Sequence, residues 1–425
     1  MTEERAAWRL TPQNQRALRT VSPPRNRLKA LASAHTTSGM IRLNSVQALR
    51  GIAALAVMLC HLIAIEAGQA GRADKLTEFW VAGAHGVDLF FVISGFVMVW
   101  VASDLQRGRR SAADFLYARA TRIYPLWWLF AGAMAAMLLL VRGVPWDAAR
   151  LDPKGLDGTV HLIKSFVLWP QPEHPVLGVG WTLVHEMYFY VGFAALILLV
   201  PIKHRISALL VWGAVVLIAS MAGASTSYGR NLTELAFNAM TLQFIAGALV
   251  AYAIKAGWRR YALTSAIVGA IGLIATFLSW DKALLAALPI GFDWAQLDPA
   301  GPPWHRVFFY GGPAAVLLYG LVALELEGKL TNRIPNSLVA LGDWSYSLYL
   351  CHVLTISAAG RITYFLFGSD SAWATMLWLI SASFVSILTA ALTYQFFERP
   401  LIRYFRKWRS KPEASPAAAA NAPAE

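Results

Sequence analysis

The stretch SVQALRGIAALAVMLCHLIAIEA, residues 45–67, indicates the fold class of this protein. It is 23 residues long and apolar over most of its length, although it contains Arg50 and His61. At roughly 1.5 Å per residue, a helix of this length crosses a hydrocarbon core of about 30 Å. The stretch therefore predicts a transmembrane helix that carries Arg50 and His61 within the membrane.

Runs of similar length recur along the 425-residue chain, so the prediction extends to the whole molecule. Hydrophobic residues make up 57% of the chain and charged residues 14%, whereas soluble domains have about 45–50% and about 25%. This composition excludes an ordinary soluble domain, a disordered chain and a small disulfide scaffold. We predict an all-α, polytopic membrane bundle of about ten helices. The predicted spans are 45–67, 86–103, 122–142, 179–200, 206–224, 233–254, 261–279, 306–325, 338–359 and 373–397.

The basic residues predict the orientation of these spans. With the leader placed in the cytoplasm and the loops alternating, 26 of the 37 Lys and Arg residues fall on the leader's side and 10 on the other, and Arg50 lies within the first span. Cytoplasmic loops carry an excess of such residues, so both termini are predicted to be cytoplasmic. Because the net charge of +13 comes from short loops between apolar runs, it does not indicate nucleic-acid binding.

Three regions are predicted along the chain. Residues 1–42 form a basic leader expected to be disordered and cytoplasmic, and Met40 is an alternative start. Residues 43–402 form the transmembrane domain. Residues 403–425 form a tail that is first basic and then rich in Ala and Pro, a composition typical of disorder.

The longest segments predicted on the outer side, 143–178 and 280–305, are rich in tryptophan. Such rings could stack on sugars, or they could belong to the aromatic belt of the membrane interface, which is the preferred interpretation for any single one. The tryptophans are Trp146, Trp169, Trp280, Trp294 and Trp304.

Ionisable side chains inside a membrane are costly, so each one is a functional candidate. Arg50 and His61 are eleven positions apart, which places both on one face of their helix and separates them by roughly 16 Å along its axis. His61, Glu186 and His352 are predicted at one depth in the outer half of the membrane. A histidine beside a carboxylate is a usual general-base arrangement, so Glu186 is expected to orient His61. The residues alone leave open a second class, a proton-coupled transporter.

Two further groups of residues are candidates for ligand binding. Arg119 and Arg122 are three positions apart and form a fork suited to phosphate, although plain positive-inside charge is the alternative. The pairs at Cys60 and Cys351, each followed by a histidine, do not have zinc-type spacing, so no metal site is predicted.

Six motifs in order resemble the acyltransferase-3 family of integral-membrane O-acyltransferases. The likeness covers about 43–402, and its exopolysaccharide enzymes are the nearest type. The motifs are LNSVQALRGIAALAVMLCH (43–61), GVDLFFVISGFVMVW (86–100), FLYARATRIYPLWW (115–128), WTLVHEMYFY (181–190), LGDWSYSLYLCH (341–352) and FFERPL (396–401).

This resemblance implies transfer of an acyl group, usually acetyl from acetyl-CoA, to a hydroxyl of a carbohydrate outside the cytoplasmic membrane of a bacterium. His61 and Arg50 match the essential pair of the family, and Arg119 and Arg122 match its coenzyme-associated pair.

The resemblance also implies further catalytic residues, substrate contacts and a donor substrate. Glu186 and His352 lie in family motifs and are assigned to catalysis with His61. Acyl-CoA is expected as a donor substrate without a permanently bound cofactor, and the lipid bilayer surrounds the protein. The alternative is a transporter or flippase of a sugar or small acid. Expected donors to the substrate, or contacts with it, are Ser94, Trp181, Ser345 and Tyr346.

Overall fold

The computed structural model describes most of the predicted transmembrane domain. The leader, the end of the tail and four of the five outer tryptophans lie outside the described residues, whereas Trp169 lies within them. The described residues are 42–70, 82–138, 158–224, 229–278, 306–368 and 372–408.

Each of the ten predicted spans coincides with a helical segment, and the described residues contain no β-strand. This confirms the all-α membrane bundle. The helices are α1 Asn44–Ala70, α2 Gly86–Ala102, α3 Arg109–Ala136, α4 Gly158–Phe166, α5 Trp181–Leu199, α6 Arg205–Met221, α7 Leu232–Ala236, α8 Thr241–Lys255, α9 Ala262–Leu278, α10 Gly312–Leu326, α11 Asn336–Phe367, α12 Ala372–Thr393 and α13 Arg399–Arg406.

Eight helical segments of the described chain are long and apolar enough to cross a membrane. The two other predicted spans are helical but differ from these eight. Helix α9 has 17 residues, just under the length needed, and α3 carries Arg119 and Arg122 near its middle. The polytopic bundle is therefore established, while the cytoplasmic placement of the termini stays a prediction.

Helices α1 and α11 pack tightly and run in the same direction. A Cβ atom on Gly342 of α11 would lie 1.9 Å from the carbonyl oxygen of Gln47 on α1, and one on Gly51 would lie 2.9 Å from that of Leu338. Small residues at such crossings let helix backbones approach closely. Further along both helices, His61 of α1 meets His352 of α11. The two helices are therefore parallel and in contact over about 15 Å.

The start of α1 is held by an acidic side chain from another helix. Glu325, near the end of α10, accepts hydrogen bonds from the backbone N–H groups of Asn44 at 2.7 Å and Ser45 at 2.9 Å. These N–H groups have no partner within their own helix, and a carboxylate there also complements the helix dipole. This contact fixes the end of α1 from which Arg50 projects.

Candidate active site

A cavity with about 770 Å³ of empty space lies between α1, α2, α3, α5 and α11. Its walls bring together seven of the ten predicted site residues, which come from helices far apart in the sequence. These seven are Arg50, Ser94, Arg119, Arg122, Glu186, Ser345 and Tyr346.

Three arginines give one part of this cavity a positive character. Arg119 is only 9% exposed, and its guanidinium lies 5.5 Å from the ring of Phe115 and 5.8 Å from the ring of Tyr190. Its Nε atom is buried and has no hydrogen-bond partner among the described residues. A planar guanidinium on aromatic faces is held in place with donors still available, an arrangement suited to an anionic ligand.

Glu186 is the acidic member of the cavity wall. Its Oε1 atom accepts hydrogen bonds from the hydroxyl of Ser94 and, at 2.5 Å, from that of Tyr190. We expected Glu186 to contact His61, but no such contact is found among the described residues. The side chain that contacts His61 is His352. The prediction used only the depth of each residue in the membrane, and two residues at the same depth can lie on helices that are not neighbours. Tyr190, four positions after Glu186, is a site residue that sequence reasoning missed.

His61 and His352 form a buried pair. The Nε2 atom of His352 lies 3.3 Å from the Nδ1 atom of His61, and the rings meet edge to face with centroids 5.0 Å apart. His352 is completely buried, whereas His61 is partly exposed. The same Nδ1 atom of His61 lies 2.9 Å from the carbonyl oxygen of Val57.

These contacts determine where the protons of a neutral pair sit. The Nδ1 atom of His352 lies 3.0 Å from the carbonyl oxygen of Leu348, which can only accept, so this nitrogen carries the proton. The Nε2 atom of His352 is then an acceptor, and the Nδ1–H of His61 is shared between it and the carbonyl of Val57. The Nε2 atom of His61 therefore keeps a free lone pair, as a general base or a nucleophile requires.

Tyr349 connects the histidine pair to the cavity. It lines the cavity, and its ring centroid lies 5.9 Å from that of His352. Its hydroxyl donates to the carbonyl of Val179 at 2.9 Å and lies 2.7 Å from the hydroxyl of Thr182. The amino end of α5 and the centre of α11 are thus joined at Tyr349, which lies between the cavity and the histidine pair. Neither His61 nor His352 itself lines the cavity.

A second buried acid lies near the arginines. Glu398 of the FFERPL motif is 4% exposed and accepts a hydrogen bond of 2.6 Å from the Ser347 hydroxyl. It interacts electrostatically with Arg122 and Arg50. Sequence reasoning assigned no role to this glutamate, although an acid within an apolar run was a usable signal.

Trp181 is the predicted substrate contact that the structure places apart from the cavity. It packs against Phe91 and His185, with ring centroids 6.2 and 5.6 Å away, and lines a separate cavity on another side of α5.

The fold and this site define the class of the protein: a multi-pass membrane protein with a histidine pair between its helices and an arginine-lined cavity close to that pair. The family model described as "Acyltransferase domain" matches residues 43–395. The chain therefore belongs to the acyltransferase-3 family and is an acyltransferase. This membership confirms the predicted resemblance and sets aside the transporter alternative.

Two curated relatives cover most of the chain. "Exopolysaccharide production protein ExoZ" of Rhizobium meliloti (strain 1021) is 31% identical over 350 residues, which span 79% of this chain and 95% of the relative. "Acyltransferase MdmB" of Streptomyces mycarofaciens is 28% identical over 418 residues, 90% of this chain and 98% of the relative. No solved structure matches the chain significantly.

Proposed function

We propose that the protein transfers an acyl group, acetyl in the first instance, from cytoplasmic acyl-CoA to a hydroxyl of a carbohydrate outside the inner membrane of a bacterium. The observation that carries this proposal is the pair of His61 and His352, whose contacts leave one basic nitrogen of His61 free. Tyr349, which lines the arginine-lined cavity, packs against His352. The name of the Rhizobium relative, an exopolysaccharide production protein, supports a polysaccharide acceptor.

The donor is proposed to bind in the arginine-lined cavity. Coenzyme A carries phosphates, and guanidinium groups bind phosphate through paired, charge-assisted hydrogen bonds. Arg119 and Arg122 hold the nucleotide end in this proposal. The pantetheine arm then extends past Arg50 and Tyr349 and brings the thioester to His61.

In the direct route, the Nε2 atom of His61 removes the proton of the acceptor hydroxyl. The oxygen attacks the thioester carbonyl, the carbon–sulfur bond breaks, and the thiolate takes the proton from the His61 imidazolium. The products are an O-acyl ester and free coenzyme A. His352 accepts the Nδ1–H bond of His61 throughout and so stabilises the imidazolium.

A second route uses the same atoms in two steps. The Nε2 atom of His61 attacks the thioester and releases the coenzyme A thiolate, leaving an acyl-imidazolium that keeps its proton on Nδ1. The acceptor hydroxyl then attacks this acyl group, and its proton passes to the thiolate or to solvent. Both routes need His61 with a proton on Nδ1 and a free Nε2.

The experiment uses membrane vesicles from cells that express the wild type or the His61→Ala variant. Acetyl-CoA labelled in the acetyl group is supplied, and label is followed into the envelope polysaccharide fraction. We expect label with the wild type and none with His61→Ala, because the variant lacks the base. His204→Ala is the matched control, since His204 is exposed in the connection between α5 and α6, and it should behave as the wild type.

The variants are compared at equal amounts of membrane-inserted protein. Normal labelling by the His61→Ala variant would contradict the proposed role of His61 as the base or nucleophile. Absence of label with the wild type, given intact protein, would mean that the donor or the acceptor class is wrong.

A further inference from the structure

A second cavity, with about 680 Å³ of empty space, lies against the amino end of α5. One wall is the loop 169–175, which connects α4 to α5, and the opposite wall is formed by Gly229 and Arg230. A neighbouring cavity of about 870 Å³ shares Trp169 and Arg230 with it and extends toward α7. Together the two form one continuous groove.

The loop that lines this groove is held rigidly. Its sequence WPQPEHP contains three prolines, each of which restricts the backbone. The side chain of Ser165 accepts hydrogen bonds of 3.0 Å from the Gln171 amide and from the backbone N–H of Val176. On the other side, Trp127 and Trp128 of α3 donate to the carbonyls of Ser165 and Phe166. The groove is therefore preorganised, which lowers the entropic cost of binding.

The chemistry of the lining combines aromatic faces with polar groups. Trp169 is 48% exposed although its backbone lies in this rigid loop, and Trp181 lines the inner end. Gln171 is only 8% exposed, and its Oε1 atom is buried without a hydrogen-bond partner among the described residues, while its amide nitrogen is bound. A buried amide oxygen without a hydrogen-bond partner destabilises the folded protein, so a ligand that donates a hydrogen bond to this atom would be favoured. Arg230 adds a cationic donor at the junction of the two cavities.

His174 adds a group that can both donate and accept. It lies outside the membrane-spanning segments, and burial lowers its pKa below the ordinary value, an effect that the neighbouring Glu173 carboxylate opposes. The ring is therefore neutral near pH 7, with one nitrogen a donor and the other an acceptor. Sugar hydroxyls both donate and accept hydrogen bonds, and the apolar C–H faces of a sugar ring pack on indole rings.

The groove lies close to the candidate active site. Trp181 and Val184 of α5 face the groove, while Thr182, Leu183 and Glu186 face the arginine-lined cavity. These residues interleave within two turns of one helix, whose diameter with side chains is about 10–12 Å. A ligand in the groove is thus separated from the donor cavity by α5 alone.

We infer that this groove is the binding site for the carbohydrate acceptor, with Trp169 as its stacking platform and the Gln171 carbonyl as an acceptor for a sugar hydroxyl. The inference rests on the proposed function for the identity of the reaction, but sugar binding can be measured without acyl transfer. An interfacial belt residue is the competing interpretation of Trp169. It accounts for neither the polar lining nor the unpartnered Gln171.

The test measures binding of the full-length protein, in lipid nanodiscs, to an array of oligosaccharides released from bacterial exopolysaccharides and O-antigens. Four proteins are compared: the wild type, Trp169→Ala, Trp169→Phe and Trp373→Ala. Trp373 is 75% exposed and lines none of these cavities, so its variant controls for loss of a surface tryptophan. Thermal unfolding of each variant shows whether it is folded.

We expect the wild type and Trp373→Ala to bind the same oligosaccharides. Trp169→Ala should bind them about tenfold more weakly, and Trp169→Phe, which keeps an aromatic face, should lose less. Equal binding by Trp169→Ala and the wild type would overturn the inference, and so would a wild type that binds no oligosaccharide on the array.

Failure of the proposed function gives a different result. His61→Ala should bind the array as the wild type does and transfer no labelled acetyl. A wild type that binds sugar but transfers no acyl group would contradict the proposed function and leave the groove assignment supported.

Discussion

At the residue scale, the Nδ1–H of His61 is shared between the carbonyl of Val57, four positions away, and His352, 291 positions away in the sequence. The eleven-residue spacing of Arg50 and His61 could be interpreted from the sequence, because helical periodicity is local. The partner of His61 could not, because Glu186 and His352 are predicted at the same depth and only lateral packing distinguishes them. The structure places Glu186 with Ser94 and Tyr190, and His352 with His61.

Under the proposed mechanism, this arrangement makes His352 a positioning residue. His352→Phe keeps a ring of similar size but removes the Nε2 acceptor, so the Nδ1–H of His61 retains only the Val57 carbonyl. We expect kcat to fall by about 10²-fold, with the KM for acyl-CoA unchanged, since the donor cavity is untouched. Steady-state kinetics with labelled acetyl-CoA measure both parameters.

His352→Gln is the matched variant, because its amide oxygen can accept the same hydrogen bond. It should recover at least about a tenth of the activity that His352→Phe loses. Full activity of a folded His352→Phe variant would contradict the role and show that Val57 alone suffices to orient His61.

At the element scale, the parallel crossing of α1 and α11 sets the distance between the two histidines. The crossing depends on Gly342, where any side chain would meet the backbone of Gln47. The sequence predicted both helices and their common direction. It did not predict their contact, because nothing in a local pattern identifies which glycine lies at a helix crossing.

Gly342→Ala should therefore destabilise the protein and reduce its activity. The new Cβ would lie 1.9 Å from the carbonyl oxygen of Gln47, so the helices must separate, at a cost of about 1–3 kcal/mol in the free energy of unfolding. Thermal unfolding of the detergent-solubilised protein and acetyl transfer at a permissive temperature measure the two effects.

Gly132→Ala on α3 is the control, because a Cβ atom at this position would have no heavy atom of the described residues within 4 Å. Alanine favours a helix over glycine by about 1 kcal/mol, so this variant should be as stable as the wild type or slightly more stable. A Gly342→Ala protein with wild-type unfolding temperature and activity would show that the crossing tolerates a wider spacing.

At the scale of the whole molecule, the membrane orientation rests on charge. Loops of the leader's side hold 26 of the 37 basic residues, and this asymmetry predicts that side to be cytoplasmic. The predicted orientation matters for the proposed reaction, because it puts the arginine-lined cavity on the side of the proposed cytoplasmic donor and the tryptophan-lined groove on the outer side.

Labelling of single introduced cysteines tests this orientation. Ala113→Cys lies in a predicted cytoplasmic segment and Leu232→Cys in a predicted outer one, and both positions are exposed. In spheroplasts, an impermeant maleimide should label Leu232→Cys directly and Ala113→Cys only after lysis. The wild type should stay unlabelled, since Cys60 and Cys351 are buried. The reverse pattern would invert the orientation and with it the donor side.

The helical membrane class, ten helical segments and the shared face of Arg50 and His61 could be predicted from the sequence, and eight of these segments are long and apolar enough to cross a membrane. These properties follow from hydrophobicity and periodicity along single segments, which are local. The packing of the helices was needed to show that His352 contacts His61, that Glu186 binds Ser94 and Tyr190, and that seven predicted residues share one cavity. These are lateral relations between helices, and they depend on where backbones can approach, as at Gly342.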